Sequence, residues 1–229
     1  LKMTRHLCHM ANDVLIVDDE RLEEVIDRFV ARIRADPDYH WTSDLVFLLG
    51  DSQRPEVREL LRAKADDFSL RSSILVTLAD APQPADRPLF VAGLETHDLG
   101  VLSALVRALH VLGPDSSATD QVALVRTLRR LGPAREERAL QDAVVQLLRR
   151  NTGREFGFEL GRSAGDPQRA AIAQWSSWAE TEFPEEWARQ TGSTAESLAD
   201  LHNLLKSVDW SAGDATRGER LFHERSCAQ

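Results

Sequence analysis

The stretch "DRPLFVAGLETHDLGVLSALVRALHVLGP", residues 86–114, decides the fold. Its apolar residues recur three and four apart, which gathers them on one face of a helix. A short polar turn around His97 and Asp98 separates two such runs, and Gly113-Pro114 closes the second. The following stretch, "SATDQVALVRTLRRLGPAREERALQDAVVQLLRRNTG" (117–153), does the same, with ends at Gly132-Pro133 and Gly153. The predicted ends of successive second helices, near Ala79, Leu112 and Leu148, lie 33 and 36 residues apart. Two-helix units at this period are the signature of an alpha-solenoid, because one pair cannot bury its apolar face without a neighbour.

Upstream the pattern is also helical. "DERLEEVIDRFVARIRADP" (19–37) aligns Leu22, Val25, Ile26, Phe29, Val30 and Ile33 on one face and should stop near Asp36, before Pro37. "RPEVRELLRAKADD" (54–67) and "SLRSSILVTLADAP" (69–82) read as two shorter helices, with Ser69 the expected N-cap of the second and Pro82 ending it. Alternation and Asn-Gly turns, the marks of strands, are scarce. After Gly153 the glycine-rich "REFGFELGRSAGDP" (154–167) should be irregular. "PQRAAIAQWSSWAETEFP" (167–184) then reads as a helix, with Pro167 in its first turn and Pro184 beyond its end. A last amphipathic helix, "STAESLADLHNLLKSV" (193–208), carries a capping box in Ser193 and Glu196. The expectation is an all-α, HEAT/ARM-like superhelix: a repeat region over 1–165, a helical Trp-bearing connector over 166–210, and a different beginning over 211–229.

Composition narrows the function classes. Hydrophobic residues make up 42% of the 229, enough for a packed core. A net charge of -9 with scattered basic residues argues against nucleic acid, whose phosphates need clustered Lys and Arg. Three of the 28 basic residues are lysine (Lys2, Lys64, Lys206), so arginine carries nearly all the positive charge. Two distant cysteines, Cys8 and Cys227, exclude a disulfide framework and a closed cysteine zinc site. No apolar run reaches the ~20 residues of a membrane span. A first residue that is leucine and no visible signal peptide lead us to expect a segment of a longer chain.

Four stretches could carry chemistry. "VLIVDDERL" (14–22), with "DLVFLLGD" (44–51), looks like the strands of a receiver domain that deliver carboxylates to Mg²⁺. Leu49 stands where that family places its phosphoacceptor, and thirty residues from Asp19 are too few for the intervening elements. The plainer reading makes Asp18 or Asp19 the cap of a helix starting near Glu20. In "HLCHM" (6–10), His6 and His9 share a helical face while Cys8 points away, so a buried cysteine is favoured over a metal site. Trp175 and Trp178 share a face and, with Trp187, form either a core cluster or a ligand platform, packing being the more common role. Glu185 and Glu186 read as a solvated face. No phosphate loop and no G-x-S-x-G elbow is present.

The fourth stretch is "GDATRGERLFHERSCAQ" (213–229). It resembles the opening of class I c-type cytochrome domains: a Gly-Asp lead (Gly213-Asp214), a helix with Gly218 and an aromatic four residues on at Phe222, then Cys227 as the first cysteine of C-x-x-C-H. Cys227-Ala228-Gln229 supplies three positions of that motif; the second cysteine and the axial histidine are absent from this chain. The alternative is a lone cysteine on an amphipathic terminal helix. The order of "LVFLLGDSQRPEVRELL" (45–61), "SLRSSILVTLADAP", "DRPLFVAGL", "NTGREFGF" (151–158) and "WSSWAETEFP" (175–184) before that opening is similar to a planctomycete-type family of multidomain c-type cytochromes and membrane-bound-dehydrogenase-like proteins. In these a HEAT-like region precedes the haem domain.

The resemblance implies heme c in the full-length protein, with none bound by this segment. Cys227 would form the first thioether, and Phe222 and Gly218 would pack within the haem domain. It further implies electron transfer, export to the periplasm or beyond, and an upstream dehydrogenase-like or electron-donor domain as partner. No residue of this segment reads as catalytic. The rival reading is a HEAT-like protein–protein interaction scaffold without a redox role.

Overall fold

A computed structural model describes residues 19–52, 54–161 and 165–191, together with the single positions 206 and 214. The described fold is all-α, and no strand occurs among these residues. The chain divides into two compact units, Leu1–Ala179 and Glu180–Gln229.

In the first unit, α1 (Asp19–Ala35) buries Ile26 and Val30 and stops ahead of Pro37, as the periodicity predicts. Next comes α2 (Ser43–Gly50), where "DLVFLLGD" is a helix rather than a strand. The Thr42 side chain accepts from the Leu45 N–H at 3.2 Å and so starts the helix, and Leu45, Val46 and Leu49 are buried. α3 (Pro55–Ala63) begins on Pro55, where the missing N–H costs nothing.

α4 (Arg71–Asp80) departs from expectation at its start: Leu70 occupies the N-cap, and Ser69 does not cap the helix. Ser69 instead donates from its N–H and its Oγ to Asp67 Oδ1, at 3.0 and 2.7 Å. The aspartate organises the turn, and the serine is spent on it.

A short 3₁₀ turn (Pro84–Asp86) leads into α5 (Arg87–Gly93) and α6 (Leu99–Leu112). Asp98 caps α6 by accepting from the N–H groups of Gly100 and Val101. Ser117 caps α7 (Ala118–Arg130), and α8 (Arg135–Thr152) ends on Gly153, whose φ of 67° suits a residue without Cβ. α9 (Asp166–Glu182) carries Pro167 in its first turn.

The helices of this unit pack against one another. α3 lies on α4, α5 on α6 and α7 on α8, which are the helix pairs read from sequence. Between pairs, α2, α4, α6 and α8 touch in that order, and α5 touches α7. Two glycines permit this closeness. A Cβ on Gly50 would lie 2.0 Å from Thr77 Cγ2, and one on Gly93 would lie 2.8 Å from both Leu75 and Leu105. The core is aliphatic: Leu49, Leu61, Ile74, Leu78, Leu102, Leu105 and Leu109 are at most 2% exposed. No helix among the described residues is long and apolar enough to cross a membrane.

In the second unit, residues 184–191 are helical, and Arg189 bonds Glu186 through Nε and Nη2. Glu186 therefore has a partner, contrary to the solvated face expected for it, whereas Glu185 is exposed.

Candidate functional site

The most organised polar chemistry in the first unit lies between neighbouring helix pairs, and arginine carries it. Asp86 is fully buried at the 3₁₀ turn. It accepts from Arg58 Nη2 at 2.5 Å, Arg62 Nε at 2.7 Å and the Gln83 N–H at 2.8 Å. Arg62 Nη2 also donates to Gln83 Oε1 at 3.1 Å. Arginines of α3 are thereby fixed to the lead-in of α5. One pair further on, Arg87 of α5 donates to Asp120 of α7 at 2.7 Å, and its Nη1 reaches the Gly113 carbonyl at 3.1 Å. One pair earlier, Arg54 meets Asp27 of α1 at 2.6 Å, and this bond raises the arginine pKa above its ordinary value.

Other arginines satisfy helix C-termini, whose last carbonyls have no partner within the helix. Arg130 donates to the carbonyls of Leu94, Glu95 and Thr96 at 2.6, 2.6 and 2.9 Å, closing the end of α5 from α7. Burial of the guanidinium lowers its pKa, and Glu95 nearby acts in the opposite sense. Arg150 of α8 donates to the His110 carbonyl at 2.7 Å, closing α6. The planar five-donor fork of arginine can reach two or three carbonyls at once, which an ammonium point charge cannot match in fixed geometry.

Two surface features remain. Between α6 and α8 runs a groove of about 600 Å³ with Val106, Leu140, Ala139 and Ala143 along its apolar walls. Arg107 and His110 line it toward one end, and Glu136 toward the other. In the turn between α3 and α4, Phe68 is 95% exposed.

The tryptophans resolve toward packing. Trp175 is fully buried, its ring edge-on to Phe156 at 4.6 Å and to Trp178 at 5.5 Å. The Arg154 guanidinium lies 5.5 Å from the Trp178 ring centroid. Trp187 belongs to the second unit. Residues 154–161 of the glycine-rich segment are irregular as expected, yet anchored. Phe158 is buried, the Gly161 N–H donates to Asp142 Oδ2 at 2.8 Å, and Arg149 donates to the Phe158 carbonyl.

The receiver-like alternative, set aside on sequence for its spacing, does not form at its second strand: that stretch is α2, and Leu49 is a core residue of that helix. His6, Cys8 and His9 lie outside the described residues, as do Asp18 and the capping box of Ser193 and Glu196. Gly218, Phe222 and Cys227 lie outside them too, and Asp214 alone of that stretch is described, as exposed. Among the described residues no three His, Cys, Asp or Glu side chains converge as metal ligands. Of the two thioether cysteines and the axial histidine that hold a c-type haem, the stretch 213–229 supplies Cys227 as the first cysteine. The arginine ties are what sequence reading missed; the one available signal was the preference for arginine over lysine.

Comparison with family models, curated proteins and solved structures finds no match to this chain.

Proposed function

We propose that this chain is the helical-repeat scaffold segment of an exported, multidomain c-type cytochrome. Its HEAT-like repeats would hold a haem domain, opening at residues 213–229, in a fixed place relative to an electron-donor or dehydrogenase-like domain. The proposal assigns no catalytic residue here. The observation that supports a scaffold is where the buried polar contacts run. Arg58–Asp86 and Arg87–Asp120 join neighbouring helix pairs instead of converging on a cleft. Contacts so placed make consecutive pairs rigid to one another, which suits a spacer. The redox part rests on Gly213-Asp214, Gly218, Phe222 and Cys227 in cytochrome-like order. Haem, once bound, would supply one-electron transfer; Cys227 would anchor it through one thioether. The next two codons of the gene test this part: Cys-His after Gln229 supports it, and any other pair removes it.

The rival, a protein–protein interaction scaffold with no redox role, is favoured by a separate observation. Phe68 and the α6–α8 groove are binding features that need no haem.

A further inference from the structure

Phe68 is displayed on a post rather than left on a loose loop. Below it the Asp67 N–H donates to the Lys64 carbonyl at 3.0 Å, and the Leu70 and Arg71 N–H groups donate back to the Asp67 carbonyl at 3.1 and 2.9 Å. Asp67 Oδ1 holds Ser69 by two further bonds. Those bonds from Ser69 keep the Asp67 carboxyl below its ordinary value, so it is ionised at neutral pH. Asp66, beside it, is exposed as well. A phenyl ring on a fixed backbone, flanked by two carboxylates, has the make-up of an interface anchor: large apolar area with little freedom to lose.

The α6–α8 groove is its complement. Val106 and Leu140 give it an apolar floor, and Arg107 places a positive charge along one end, next to His110. The bond from Arg150 of α8 to the His110 carbonyl puts the C-terminal ends of α6 and α8 side by side. Glu136, in the first turn of α8, is therefore at the far end, away from an incoming carboxylate.

We propose that Phe68 of one copy of this chain seats in the α6–α8 groove of a second copy, with Asp66 and Asp67 facing Arg107 and His110. A single such contact leaves one post and one groove unused, so it can propagate head to tail. The inference goes beyond the scaffold reading and holds or fails without reference to haem.

Sedimentation velocity at low salt tests it, from about 10 µM to about 1 mM chain, where even a millimolar contact is half-populated. The expected result is a sedimentation coefficient that climbs with concentration and passes the dimer value. Phe68→Ala and Arg107→Glu should each weaken association about tenfold or more, an anchor-sized effect. Both positions are exposed, so the melting temperature should stay within about 2 °C. The charge swap Asp66→Arg with Arg107→Glu should regain most of what Arg107→Glu loses. A wild-type chain that stays monomeric throughout overturns the proposal, and so does association that Phe68→Ala leaves unchanged. Occupation of the groove by a different protein alone would appear as that monomeric result.

Discussion

Arg58 Nη2 lies 2.5 Å from Asp86 Oδ2, with both side chains shut off from solvent. Two arginines converge on this one carboxylate, the second being Arg62 at 2.7 Å. Taking Asp86 away removes the carboxylate that both guanidinium groups share, and Arg58 is buried there, which costs far more than the pair contributes over an apolar substitute.

Asp86→Ala should therefore lose about 3–5 kcal/mol of unfolding free energy in urea titrations. Replacing both partners by apolar residues, Arg58→Met with Asp86→Leu, should lose distinctly less than Asp86→Ala alone. A double variant as unstable as the sum of its singles would mean the two residues do not act as a pair.

Arg130 closes α5 through three carbonyls, so Arg130→Ala should cost about 1–2 kcal/mol, the value being held down by the solvent around its stem. Arg130→Lys should recover less than half of that, because an ammonium cannot span the three acceptors. Full rescue by lysine would show that charge alone matters there.

Gly50 and Thr77 mark the closest approach of α2 to α4. Gly50→Ala drives a methyl into Thr77 Cγ2 and should destabilise by about 1–3 kcal/mol, as overpacking does. Thr77→Ser removes that Cγ2, so the double variant Gly50→Ala with Thr77→Ser should be more stable than Gly50→Ala alone. Thermal melts of the three variants decide it.

Acid sensitivity follows from two turn aspartates. Asp67 and Asp115 are both held below the ordinary value of 3.8, mainly by hydrogen bonds from Ser69 and Ser117 respectively. A depressed carboxyl contributes its stability above the unfolded-state value and loses it as pH falls through the lower folded value. The contribution of these two groups to the urea midpoint should thus hold steady above pH 3.8 and fall away below it. Asp115→Asn should flatten that drop, and an unchanged profile would assign the acid sensitivity elsewhere.

The helices were legible because their punctuation is covalent and local. Pro37, Pro55, Gly113-Pro114, Gly153 and Pro167 set boundaries that periodicity then fills. Ser69 misled because capping depends on which nearby acceptor wins, and Asp67 Oδ1 lies two residues away. "DLVFLLGD" is ambiguous by itself, since a short apolar run suits a buried strand or a buried helix. Thr42 and contact with α4 decide it. The arginine ties join residues 21 to 40 positions apart, as in Arg62–Gln83 and Arg150–His110, and no local pattern encodes such partners. That Phe68 stays exposed after folding is set by the turn between α3 and α4, which no local apolar pattern reveals.

The central claim is a scaffold joined to a haem domain, and covalent haem measures it most directly. The full-length gene should be expressed with cytochrome c maturation machinery and the denatured polypeptide assayed by pyridine haemochrome absorbance. The account predicts haem that stays with the chain after acid–acetone extraction, and a Cys227→Ala variant that loses it or keeps it by one thioether with a shifted band. A full-length chain that carries no covalent haem would contradict the account.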